Sequence, residues 1–142
     1  MRFVKIFCFS VFLLAVSACS SGLPFMGSTQ VFPPIEPGKG RVFFYRTSVL
    51  GDAYTPDVLL NGERVGKLDR RGVLYRDVPP GSYAATTTST SKVANFSVIA
   101  GEKKYVRFNS GFFESYIHPE LVDPAKGEAD ASGLTLLAPA RK

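Results

Sequence analysis

The chain has 142 residues with 17 Lys+Arg against 12 Asp+Glu, a formal net charge of +5. That length supplies one domain with its own core and excludes two, and so small an excess of charge is a matter of solubility that makes no case for nucleic acid. The 13 Gly and 10 Pro favour many turns and few helices around an apolar core.

Residues 1–18 read as a leader. Arg2 and Lys5 supply a short positive start, and Ile6 to Val16 is almost wholly apolar but shorter than the roughly 20 residues a spanning helix needs. The run closes on Ser17 and Ala18, which lead directly into Cys19. Val16-Ser17-Ala18-Cys19 resembles the lipobox of bacterial lipoproteins, in which the cysteine thiol is diacylated (palmitate-type chains), the leader is cut before it, and the new amine is often acylated. The resemblance implies that Cys19 becomes the first residue of a membrane-anchored protein. Two or three acyl chains hold durably where one holds marginally, at about 0.8 kcal/mol per buried methylene. By the sorting rule of that class, Ser20 in place of aspartate implies the outer membrane of a two-membrane bacterium, on its periplasmic side. Removing 18 residues that contain two bases and no acid leaves 124 residues at +3. Cys8 departs with the leader and Cys19 carries lipid, so no disulfide is expected and the fold must stand on its apolar core.

Residues 19–38 read as a tether, punctuated by Pro24, Gly27, Pro33-Pro34 and Pro37-Gly38 and about 60 Å long if fully extended. Val31, Phe32 and Ile35 are apolar enough for part of it to pack as an edge segment. From residue 39 to 142 the spacing of β-rich runs and turns predicts an all-β sandwich. Arg41 to Thr47 is nearly continuous in apolar residues, which predicts a central strand covered on both faces. Asp57–Leu60 and Arg64–Leu68 flank Asn61-Gly62, a tight-hairpin signal because both residues tolerate positive φ. Gly72–Asp77 is a strand, and Pro79-Pro80-Gly81 turns into Tyr83–Ser91, whose threonine-rich later half is expected at an edge. Val93–Ile99 alternates with one face buried, and Lys103–Asn109 and Phe112–Ile117 follow as strands around Gly111. Asp123-Pro124 starts a helix through Ala131, weakened by Gly127, and Leu134–Leu137 is a last strand.

The run Val58 to Leu68, then Val78-Pro79-Pro80-Gly81-Ser82-Tyr83, is similar to the strand, Asn-Gly turn, Val-Gly, strand, Pro-Pro-Gly pattern of PEGA-type surface domains. Together with Val42 to Arg46 and Gly101 to Arg107, it resembles the bacterial lipoprotein family known as domain of unknown function 2846, over about residues 39–122. That resemblance implies an immunoglobulin-like or transthyretin-like β-sandwich of about seven to eight antiparallel strands. It brings no assigned activity and no functional residues.

Two clusters carry candidate chemistry. Arg64, Lys67, Arg70, Arg71 and Arg76 concentrate five bases within 13 positions. They form either a patch for an anionic partner, such as phosphorylated lipid head groups, wall polymers or an envelope protein, or a solvated edge that discourages strand-to-strand aggregation; the interspersed Glu63, Asp69 and Asp77 favour the second. His118, the single histidine, has Glu114, Glu120 and Asp123 within five residues. Beside Pro119 in a loop it reads as polar surface, and no metal, cofactor or catalytic residue is expected. Phe43, Tyr45, Phe112, Phe113 and Tyr116 would make a sugar-stacking platform if they faced outward together, but read better as core filling. The leading expectation is a non-enzymatic, membrane-tethered interaction domain that does not bind nucleic acid. A small periplasmic hydrolase or ligand carrier with a pocket near His118, and a structural subunit of an envelope assembly, are the alternatives.

Overall fold

A computed structural model describes residues 32–48, 54–110 and 116–140. They form two stacked sheets. β1 (Gly40–Tyr45), β4 (Gly72–Val78), β7 (Lys103–Ser110), β8 (Ile117–Val122) and β9 (Thr135–Leu136) make a sheet in the order β8-β7-β1-β4-β9. β2 (Asp57–Leu60), β3 (Glu63–Lys67), β5 (Gly81–Thr87) and β6 (Ala94–Val98) make the other, in the order β3-β2-β5-β6. The all-β sandwich is as expected. The strand count and pairing are not, since nine strands are present among the described residues and β1–β7 and β4–β9 pair in parallel.

β1 is the axis of the larger sheet, and every one of its residues is buried. Its side chains alternate between two hydrophobic clusters, as the pleat requires. Val42 and Phe44 enter the main core between the sheets with Val58, Leu74, Val106 and Phe108. Phe43 and Tyr45 face the opposite way, into a second cluster with Val73, Tyr105, Ala131 and Leu134. This second cluster exists because the outer face of the larger sheet is covered at one end by α1 (Pro124–Ala131) and at the other by the strap 32–36, where Phe32 meets Phe43 and Tyr75 edge-on at 5.0 and 5.5 Å. The stretch anticipated as the end of the tether therefore packs on the domain from Phe32 onward.

The turn chemistry lies where the residues place it. Asn61 (φ 50) and Gly62 (φ 81) close the β2–β3 hairpin with two left-handed residues, the geometry that follows the twist of the flanking strands. Pro79-Pro80 takes the chain from one sheet to the other, because β4 and β5 belong to different sheets. The threonine run stops being strand at Thr87. At the strand's end the hydroxyls turn to the loop backbone, Thr86 Oγ1 donating to the Lys92 carbonyl at 2.7 Å, and β5 is an interior strand of its sheet, not the edge expected of its later half. Of the expected strand Phe112–Ile117, residues 112–115 lie outside the described residues, and β8 begins at Ile117.

α1 is capped by Asp123, whose carboxylate accepts from the Ala125 amide at 3.0 Å, with Pro124 in the first turn as the sequence predicts. Gly127 has a role beyond weakening the helix. A Cβ built there would stand 2.3 Å from Cβ and Cγ of Tyr105, so the helix reaches β7 at this distance only because the residue has no side chain. Gly127→Ala gains about 1 kcal/mol of helix propensity but overpacks against the rigid root of Tyr105. The expected outcome is a net loss of about 1–2 kcal/mol in urea denaturation; an unchanged or raised midpoint would show that this contact is not tight.

Candidate functional site

The five bases of the 64–76 cluster lie along one margin of the sandwich. Arg64 and Lys67 sit on β3, the edge strand of the smaller sheet, Arg70 and Arg71 in the turn that leaves it, and Arg76 on β4 across the gap. The side chain of Arg76 spans that gap, donating from Nη2 to the Arg64 carbonyl at 2.8 Å and reaching Glu63 at 3.3 Å. Arg64 pairs with Asp57 at 2.7 Å. The Glu63 side chain is 82% exposed, so its hold on Arg76 is weak and exchangeable. Part of the cluster is thus spent on tying β3 to β4. The tail after β9 adds a second tie across the same margin, from the Ala140 amide to the Val65 carbonyl at 2.8 Å.

Beside this margin the backbone of β4 carries a buried ion pair. Arg41 donates from Nε to Asp77 Oδ1 at 2.5 Å and from Nη2 to Oδ2 at 2.8 Å, and the two side chains are 3% and 6% exposed. Two more guanidinium protons go to the strap, Nη1 to the Pro33 carbonyl at 2.6 Å and Nη2 to that of Pro34 at 3.1 Å. Asp77 Oδ2 also accepts from the Glu36 amide at 3.0 Å, and the guanidinium lies 4.3 Å over the Tyr75 ring. This fork geometry satisfies both ions. The hydrogen bonds to Arg41 hold the Asp77 carboxyl below the ordinary carboxylate range, and those to Asp77 hold the Arg41 guanidinium above its usual value.

Two grooves adjoin this pair and share Glu36, Arg76 and Asp77. One, of about 460 Å³, runs between the strap at Pro33-Pro34 and the C-terminal tail at Leu136, Leu137 and Pro139. The other, of about 450 Å³, opens toward Lys39, Asn61, Glu63 and Tyr83. Nothing in the sequence marks either groove, because both are made by segments far apart in the chain.

His118 lies on β8, an edge strand, and not in a loop; Pro119 beside it fits an edge, where a missing amide is tolerated. Its Nδ1 is 3.2 Å from Thr90 Oγ1, a contact that links β8 to the loop after β5. Glu120 is taken up by Arg107 at 2.6 Å and Asp123 by the helix cap. Among the described residues no group of three or more His, Cys, Asp and Glu could hold a metal, and neither groove is lined by His118. Phe43 and Tyr45 are buried in the second cluster and Tyr116 is 59% exposed, so these three do not make one outward aromatic face. Burial raises the Tyr45 phenol, assisted by its hydrogen bond to Asp130, and burial with Glu128 behind it takes Tyr105 to about 12; both stay neutral at ordinary pH. Cys19, Phe112, Phe113 and Glu114 lie outside the described residues.

These features define the chain as an all-β sandwich domain with a strapped N-terminal segment. A family profile described as "Protein of unknown function (DUF2846)" matches residues 36–119; that is more than half of the chain, and the protein belongs to this family. The small ribosomal subunit protein uS4 of Methylobacillus flagellatus is 37% identical over 70 residues, 49% of this chain and 33% of that protein. The chain therefore spans about a third of that relative's length. No solved structure matches.

The ion pair makes a measurable expectation. Asp77→Asn leaves Arg41 buried without its counter-charge and should cost about 3–5 kcal/mol in urea denaturation at neutral pH. The folded carboxyl is depressed, so the pair's contribution is complete above the unfolded carboxylate value near about 3.9 and drains as pH falls through the lower folded value. The gap between variant and wild type should therefore narrow below about pH 4; a gap that stays constant to pH 2 would show that Asp77 is not the group titrating.

Proposed function

We propose that the protein is a lipid-anchored, non-enzymatic binding module of the bacterial envelope, held through acyl chains on Cys19 and making contact through the margin between β3 and β4. The observation that carries the anchor is the sequence Val16-Ser17-Ala18-Cys19 at the end of an apolar run led by Arg2 and Lys5, too short to span a bilayer itself. Among the described residues no helix is long and apolar enough to cross a membrane, so in this reading the lipid does the anchoring. Phe32 packs on the domain against Phe43 and Tyr75, which leaves at most twelve residues, 20–31, between it and the acylated cysteine. Their greatest reach is about 40 Å, so the domain works close to the membrane surface. By the sorting rule of the lipoproteins this leader resembles, Ser20 supports an outer-membrane anchor facing the periplasm.

The contact surface follows from charge and access. Arg64, Lys67, Arg70, Arg71 and Arg76 give the margin five bases against the four acids Asp57, Glu63, Asp69 and Asp77, and the two grooves open beside it. An anionic envelope partner fits this balance, whereas nucleic acid does not belong to that compartment. For the anchor, Cys19→Ser expressed in a two-membrane bacterium should move the protein from the outer-membrane fraction to a soluble or unprocessed form. Intact-mass spectrometry of the wild type should show a diacylated or triacylated chain beginning at Cys19. A bare thiol, or a retained leader, in the wild type overturns the anchor.

A further inference from the structure

The larger sheet has an edge that its own chain leaves open. β4 has seven residues, but β9 pairs with only Gly72 and Val73. The hydrogen-bond parity fixes which groups are left. The Gly72 carbonyl accepts from the Arg46 amide on the β1 side at 3.1 Å, and the Val73 carbonyl accepts from the Leu137 amide on the opposite side at 2.9 Å. In an antiparallel ladder these directions alternate, so the peptide groups of Tyr75 and Asp77 point away from β1, along the side that β9 has vacated. After Leu137 the tail departs for the smaller sheet, where Ala140 bonds Val65, and the strap stays on the sheet's outer face, held by Arg41. Among the described residues no strand pairs with Leu74–Val78 on this side.

Two of the other edge strands, β3 and β8, are managed. On β3 the Arg64 carbonyl is taken by Arg76 and the Val65 carbonyl by the tail. β8 carries Pro119 and the charged Glu120, which discourage pairing. The β4 edge carries no proline, its Asp77 is neutralised by Arg41 and its Arg76 is held by Glu63, and it lies along both grooves, since Tyr75, Arg76 and Asp77 line the first, and Arg76, Asp77 and Val78 the second.

We infer that Leu74–Val78 of β4 is a strand-addition site for an extended peptide of a partner protein in which apolar and acidic residues alternate. Tyr75 and Asp77 supply the ladder. Successive side chains of an added strand point to opposite faces. One set enters the apolar groove between Pro33-Pro34 and Leu136-Leu137, where Leu136 is 41% exposed. The other meets Arg76, whose present carboxylate partner, Glu63, is exposed and displaceable. The surplus of bases along 64–76 selects an acidic visitor. In a second copy of this chain, the antiparallel register centred on residue 76 would set Arg76 opposite Arg76, and like charges directly opposite repel. The inference rests on the binding-module reading and names the partner class for that margin.

The test uses the full-length protein in detergent micelles and a library of fluorescent hexapeptides alternating apolar residues with glutamate. Each peptide is made in three forms: unmodified, N-methylated at the odd amides, and N-methylated at the even amides. The expected result is saturable binding by members of the library, weakened about tenfold or more by methylation of one set and little by the other, since only one set faces the ladder. Leu136→Glu, an exposed change that leaves the core intact, should weaken the same peptides several-fold. Equal binding of both methylated forms, or equal binding of poly-glutamate, reduces the site to polyanion attraction and overturns strand addition while leaving the binding module standing. Binding by no member of the library also overturns it. The module itself fails separately, if benzophenone photo-crosslinkers at Lys67, Leu136 and Ser97 in living cells all capture no envelope component.

Discussion

The structure depends on the burial of β1 on both faces. A strand whose six residues are all inaccessible needs a layer on each side, and the sandwich provides only one. The second layer is built from the ends of the domain: α1 near the C-terminus and the strap at the N-terminal end. Both are therefore parts of the core and not appendages.

The close approach of those two layers explains the residues that hold them. α1 comes within contact distance of Tyr105 because Gly127 has no Cβ, and Tyr45 anchors the same helix by donating its hydroxyl proton to Asp130 at 3.0 Å. At the other end the strap adds Phe32 to the second cluster. Its backbone carbonyls are satisfied by Arg41, whose charge is in turn balanced by Asp77. An ion pair this buried survives because each guanidinium nitrogen faces an acceptor, and the stacked Tyr75 closes it from solvent. The strap, the pair and the second cluster adjoin one another on the outer face of the larger sheet.

The margins show a division of labour. One is closed by β8 lying against the loop after β5, with the His118–Thr90 contact across it. The opposite one is bridged by Arg76 and the tail but not sealed, and the two grooves are what remains between the ties. The same arginine is both a structural strut and a candidate contact, so charge counting alone misjudges it.

Local signals in the sequence settled the elements whose causes are local. Asn61-Gly62 dictates its hairpin through positive φ, Asp123-Pro124 starts its helix by capping, and the apolar run at 41–47 requires a doubly covered strand whatever covers it. The alternation of Ala94, Phe96 and Val98 assigned one buried face. What only the tertiary structure decided is where segments distant in sequence meet. The β1–β7 and β4–β9 pairs are parallel, an arrangement that no turn sets and that only the stacking of the sheets selects. His118 falls in a strand because the edge of β7 is available to it, although Pro119 argues locally for a loop. The basic cluster was visible as composition, but its conversion into a bridge, a pair and an open strand edge required the fold, because hydrogen-bond parity and groove shape are properties of paired chains and not of one.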